Sequence, residues 1–448
     1  MTMKMLSWVL PLYLVLCLVL GGASADGYVA NALLQILAIG LLTFAFLSKP
    51  YPAVTRSERH LYLVVAGCIL VVGLQFVPLP RGVWQALPGR ARLLEGLDAA
   101  GIAFPGGFAS LIPHESAKSA AWLLPSLAML VTMTRARAFY SPGNLALALV
   151  AVMCLGVVVG AAQRISGDYS ALYFYHFTNR GSAVGFFANA NHMASLLLTT
   201  IPFQAALARQ ALDKQSGERL APMLLVLAGL ALTIVGVGVV GSIAGYVLMI
   251  PVTAASALIL WRGSHARLGA LLLLIALVVT TAILASGTGL MWVDRASGLS
   301  AGSRAVIFGR TWQAILDYWP AGSGLGTFAE AYPSYEDPLA VTRTYINHAH
   351  NDYLELLLET GALGVIAFAA FLAWWTIQTI RIWTRSDASP FAKAAVIASA
   401  TLLLHSLVDY PLRTVALGAV FSACLALMAS PNSTRKAWFR GEKAGYGE

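Results

Sequence analysis

The chain has 448 residues, 58% of them hydrophobic and only 11% charged, with a formal net charge of +9. Soluble globular domains carry roughly 25% charged residues, so this composition excludes a water-soluble enzyme. Its four cysteines, Cys17, Cys68, Cys154 and Cys424, all fall in apolar stretches without metal-ligand spacing, which excludes a disulfide framework and a cysteine metal site.

Apolar runs of about 17 to 25 residues, the length a bilayer requires, recur along the sequence. They fall at 5–22, 29–47, 60–77, 119–134, 144–163, 183–207, 220–237, 239–260, 268–286, 361–380, 392–409 and 413–429. The prediction is an all-α integral membrane protein, a single polytopic domain over 1–448 with about twelve transmembrane helices. The first run, with its basic start and closing Ala-Ser-Ala, also has the outline of a signal peptide, but further spans follow at once.

With the N-terminus inside, 18 of the 29 basic residues fall in inner segments and 14 of the 20 acids in outer ones, as the positive-inside rule demands. The net charge is therefore a topological signature and not a nucleic-acid footprint. Arginine dominates the positive charge left outside, and its planar fork suits phosphate oxygens.

Two outer segments are too long for simple turns, 78–118 and 287–360. The first mixes Trp, Leu and Arg with Gly and Pro, which predicts a helix lying passively on the membrane interface. The second contains an apolar-periodic stretch (Val306, Ile307, Trp312, Ile315, Leu316), then "GSGLGTF", read as a flexible turn because no strand precedes it.

Polar residues concentrate in "INHAHNDYLELLLETGALG", 346–364. Asn347 or Asn351 can cap a helix, which puts His350 at or just before its first turn. The helix dipole there disfavours a second positive charge, so a neutral imidazole can serve as a general base. Gly361 and Gly364 would let the helix approach a neighbour closely. His348, Asp352, Glu355 and Glu359 read as cavity lining. His348 and His350 do not converge with Asp352 as metal ligands would, and with no His-Glu-x-x-His helix or Asp-x-Asp pair the reading is no metal and no cofactor.

His350-Asn351, nine residues, then Gly361 and Gly364 resembles the H-N-x9-G-x-x-G signature of the bacterial O-antigen ligase and O-antigen polymerase superfamily. "SRAVIFGRTWQAILDYWPAGSGLGTF" is similar to that family's outer-loop segment, and "NRGSAVGFFANANHMASLL" to its G-x-F-x-N-x-N-H segment. The resemblance implies a metal-independent glycosyltransferase of GT-C-like architecture in the bacterial inner membrane, its active site facing the periplasm. Its donor would be a glycan on undecaprenyl diphosphate, and its acceptor another lipid-linked glycan or lipid A-core. The family's catalytic histidine falls on His350. Its diphosphate-binding arginines fall on Arg304 and then Arg180, with Arg310, Arg343 and Arg413 as further candidates.

Asn189, Asn191 and His192 either bond across helices or line the substrate route. His405 and Asp409, four apart, can pair and orient Arg413, for structure or for phosphate recognition. Two other classes fit parts of the sequence: a secondary transporter, although its halves should then correspond, and a transferase using Asp26 as its carboxylate. "ANANHMA" and "HSLVDYPLRT" resemble polymerases more than ligases.

Overall fold

The computed structural model describes residues 3–47, 53–214, 220–260, 303–339 and 346–430. Apolar composition without polar breaks produces helices nearly everywhere the hydropathy predicts them: α1 (Val9–Leu20), α2 (Tyr28–Leu47), α3 (Arg56–Leu74), α4 (Pro113–Trp122), α5 (Leu124–Arg135), α6 (Pro142–Ser166), α7 (Ala190–Leu212), α8 (Leu220–Val240), α9 (Ile243–Leu260), α10 (Ser303–Tyr318), α11 (Asp352–Thr384), α12 (Pro390–His405) and α13 (Val415–Ala429).

Among the described residues, α2, α3, α6, α8, α9 and α11 are long and apolar enough to cross a membrane, and α1, α12 and α13 are apolar but shorter. The chain is thus a multi-pass membrane protein. The count differs from the dozen the sequence suggested for physical reasons. Run 119–134 is divided between the end of α4 and the 12 residues of α5, and α7 carries His192, Gln204 and Arg209. Run 268–286 lies outside the described residues.

Burial sorts the helices into core and periphery. Almost every side chain of α7 and α13 is buried, and α7 packs on α6, α8, α9 and α12. On α2 and α3 large apolar side chains such as Ile36, Phe46, Leu63 and Leu70 are exposed instead, as lipid-facing surfaces require.

The two long loops fold against each other. Strands β1 (Pro78–Pro80) and β2 (Gly106–Phe108) pair antiparallel, Pro78 opposite Phe108. The loop they close docks on the α10 segment: Arg90 and Trp84 are buried, the Cβ-less Gly89 seats on the Tyr318 ring, and Leu111 N–H donates to Ser323 C=O at 2.8 Å. The loop is thus tied to the α10 segment at Gly89 and Leu111, while Val83, Leu93 and Ile102 on it stay exposed, as an interfacial segment requires.

The "GSGLGTF" turn is likewise fixed, not flexible. Ser323 and Gly324 N–H groups donate to the carbonyls of Leu358 and Glu359 at 2.8 and 3.0 Å, and Leu325 N–H to Gln75 Oε1 at 2.8 Å. Gly324 has φ +120° and backs directly onto the Ser110 side chain, a place for glycine alone. Opposite the turn, α11 breaks at Gly361, φ +56° and ψ −148°. A Cβ there would collide with the Pro320 carbonyl. The glycine of the H-N-x9-G-x-x-G signature thus seats the loop turn against a helix kink, and not one helix against another.

Candidate active site

The start of α11 is built by side chains capping backbone. Asn351 is its N-cap, accepting from the N–H groups of Tyr353 and Leu354 at 3.0 and 3.1 Å. Just upstream, Glu355 reaches back, taking Ala349 N–H at 2.9 Å and pairing with His348 Nδ1 at 2.8 Å. This pins the turn so tightly that His350 adopts φ +53°, a left-handed conformation rare outside glycine and often found where function fixes a side chain.

Further bonds tie this helix start to the turn after α12. Asn351 Nδ2 donates to Leu407 C=O at 2.9 Å, Asp352 N–H to Ser406 C=O at 3.0 Å, and Ser406 Oγ to Asp352 Oδ2 at 2.7 Å. Asp409 is carried beside His350 as a result.

Asp409 is the electrostatic hub. It is 0% exposed, and its carboxylate accepts from Asn191 Nδ2 and, at 3.4 Å, from Asn189 Nδ2. His350 Nδ1 lies 3.6 Å away and His192 Nε2 3.8 Å, distances of ion pairing that are long for hydrogen bonds. Burial alone would raise the Asp409 carboxyl. Its interactions with His350, His192 and Arg304 outweigh that and hold it well below the usual carboxylate range. Asn191 is oriented in turn by Ser242, whose Oγ donates to its Oδ1 at 2.7 Å.

Tyr410 packs beside this hub. Its ring lies 4.2 Å from His348, 4.9 Å from His192 and 5.0 Å from His350, centroid to centroid. His350, Arg304, Arg180, Asn191 and His192 line one cavity of about 550 Å³. His348 and Arg413 line a second, largely apolar cavity of about 540 Å³, bounded by Leu61, Cys68, Phe368 and Phe371. The histidines of "HAHN" thus line different cavities.

The other predicted residues separate clearly. Arg304 is buried. Arg180 reaches the cavity wall while its Nη1 donates to Asp168 C=O at 3.0 Å. Arg310 sits outside both cavities and bonds Gln313 at 3.4 Å. Arg343 lies outside the described residues. Arg413 is enclosed by Glu359, Glu355 and Asp352 at 2.8, 3.3 and 3.5 Å, and Asp352 and Glu355, expected to line a cavity, line the second one beside it. The expected pairing of His405 with Asp409 is replaced: α12 ends at His405, whose Nδ1 meets Ser195 Oγ at 2.7 Å, while Asp409 turns towards α7. Asp26 lines the first cavity, its carboxylate accepting the N–H groups of Gly27 and His176 at 2.6 and 2.8 Å.

Sequence reasoning passed over Tyr410 and the cavity residues His176 to Asn179. Tyr410 had one signal, its place directly after Asp409 in "HSLVDYPLRT".

A buried carboxylate behind an imidazole, with arginine lining the same half-open cavity, can withdraw a proton from a hydroxyl and neutralise an anionic leaving group. No curated protein gives a significant match to the chain. Residues 221–369 match the family model described as O-antigen ligase, a stretch holding Arg304, His348, His350 and the α11 kink but not Arg180, Asn191, His192 or Asp409. That match covers about a third of the chain and, with the motifs around it, is a similarity to the O-antigen ligase and polymerase superfamily.

Proposed function

We propose that the protein is an inner-membrane glycosyltransferase that moves a glycan from undecaprenyl diphosphate to an acceptor hydroxyl on the periplasmic face. One observation carries the reading: His350, Arg304 and Arg180 share a single cavity, with Asp409 behind the imidazole.

With Nδ1–H directed at Asp409, Nε2 is the basic nitrogen left for the acceptor. It takes the hydroxyl proton as the acceptor oxygen attacks the anomeric carbon. The bond from that carbon to the diphosphate oxygen breaks, and undecaprenyl diphosphate leaves with both bonding electrons. Arg304 and Arg180 neutralise the charge that develops on it. A positioned base contributes about 10²- to 10⁴-fold.

The acceptor we propose is the glycan of a second lipid-linked repeat, which makes the protein a polysaccharide polymerase. The two polymerase-like segments, "ANANHMA" and "HSLVDYPLRT", meet at the Asn191–Asp409 bond inside the site. Purified protein incubated with lipid-linked repeats alone should yield longer chains, and His350→Ala should lose this by about 10²-fold or more. Product only when lipid A-core is added would make it a ligase. Wild-type rates in His350→Ala would remove the histidine from the chemistry.

A further inference from the structure

His192 stands in the first turn of α7, behind the N-cap Asn189, whose Oδ1 accepts Asn191 N–H at 2.8 Å. It lines the His350 cavity and is 1% exposed, yet among the described residues neither of its ring nitrogens has a hydrogen-bond partner. Leaving a buried polar group unpaired costs about 1 to 3 kcal/mol, and native structures rarely do so without a reason. The proposed mechanism gives this ring no task.

The group it faces supplies one. His192 Nε2 lies 3.8 Å from Asp409 Oδ1, and His350 Nδ1 lies 3.6 Å from the same oxygen. A carboxylate oxygen offers two lone pairs. Tyr410 N–H occupies one at 2.9 Å, so the two imidazoles and the long Asn189 contact at 3.4 Å compete for the other. Neither ring has closed to hydrogen-bond length. The ring that gains a positive charge will win, because a charge-assisted bond is roughly twice as strong as a neutral one.

We infer that His192 is a positioning residue for the base: it competes with His350 for Asp409, so that the carboxylate backs His350 fully only once that ring has taken the acceptor proton. The inference rests on the transferase reading, which gives His350 a proton to take. Without the competitor, Asp409 would serve His350 alone and favour its protonated form before the acceptor arrives. The other titratable or charged groups facing these rings are His348, Tyr410, Arg304 from α10 and His405 at the end of α12, with Arg180 and Asp26 on the same cavity. All six stay in place in the variants below.

The His350 side chain is 20% exposed, open to diethyl pyrocarbonate, which acylates an imidazole only in its unprotonated form. Labelling of His350, followed by mass spectrometry across about pH 5 to 9, and the pH profile of kcat are measured on the full-length protein in nanodiscs. His192→Leu should move the midpoint of both curves to alkaline by about one unit. The rate then falls roughly tenfold on the acidic side and little on the alkaline side, with donor KM unchanged. His192→Gln, whose amide N–H can reach Asp409, should restore both curves. An unmoved labelling curve, a raised donor KM, or His192→Gln behaving like His192→Leu overturns the inference. If labelling shifts and is restored as expected while wild type shows no transfer, the competition for Asp409 stands and the transferase reading falls.

Discussion

Asp409 presents its carboxylate to His350 Nδ1 from 3.6 Å, and the two residues belong to different segments that only the capped start of α11 and the turn after α12 bring together. In the proposed mechanism the carboxylate fixes the ring tautomer and stabilises the imidazolium formed in proton transfer. An amide can do neither, so Asp409→Asn should lower the transfer rate by about 10²- to 10⁴-fold. Residues acting as one unit lose activity only once. Initial rates of His350→Ala with Asp409→Asn should therefore match those of His350→Ala alone, and multiplied losses in the double variant would refute the coupling.

Two arginines of similar appearance in the sequence should respond in opposite ways. Arg304, buried in the wall of the His350 cavity, is the proposed ligand of the diphosphate. Arg304→Lys should raise KM for the lipid-linked donor by about 10- to 100-fold with little change in thermal unfolding. Arg413, held among Glu359, Glu355 and Asp352, is placed to neutralise them. Removing one partner of a buried ion cluster costs about 3 to 5 kcal/mol, so Arg413→Ala should lower Tm sharply, and Glu359→Gln in the same chain should recover part of the loss. A variant of Arg413 with wild-type Tm and a raised donor KM would move the diphosphate to the second cavity.

The contrast between those arginines marks what was legible in the sequence. Hydropathy located the helices, since an apolar run must either span or be buried, and the capping chemistry of Asn351 located the start of α11. His350 and Arg304 stood out because polar groups at a bilayer boundary are costly and these lie in recognisable motifs. The relations between distant segments were not legible. Nothing local to Arg413 says that α11 turns three carboxylates onto it. Periodicity placed Gly361 on a helix face, yet its positive φ, imposed by the Pro320 to Gly324 turn, makes it a kink. The place of His176 on the cavity wall was passed over because Asp26, far away in sequence, holds it there.

Tyr410 carries the last prediction, because its ring touches three histidines while its place in the chain gives it no obvious chemistry. The ring is a wall of the first cavity and packs 4.2 to 5.0 Å from His348, His192 and His350. Phenylalanine keeps that wall, so Tyr410→Phe should retain a Tm within a few degrees of wild type and most of the transfer activity. Alanine removes it. The void should cost about 3 to 5 kcal/mol, as buried aromatic truncations do, and the freed imidazoles would lose their fixed orientation. Tyr410→Ala should therefore lose activity at temperatures well below its own unfolding transition, where a purely structural loss would leave the surviving folded protein fully active. If Tyr410→Phe is as inactive as Tyr410→Ala while folding normally, the hydroxyl and not the ring is what the site requires, and Tyr410 joins His350 as a candidate proton carrier.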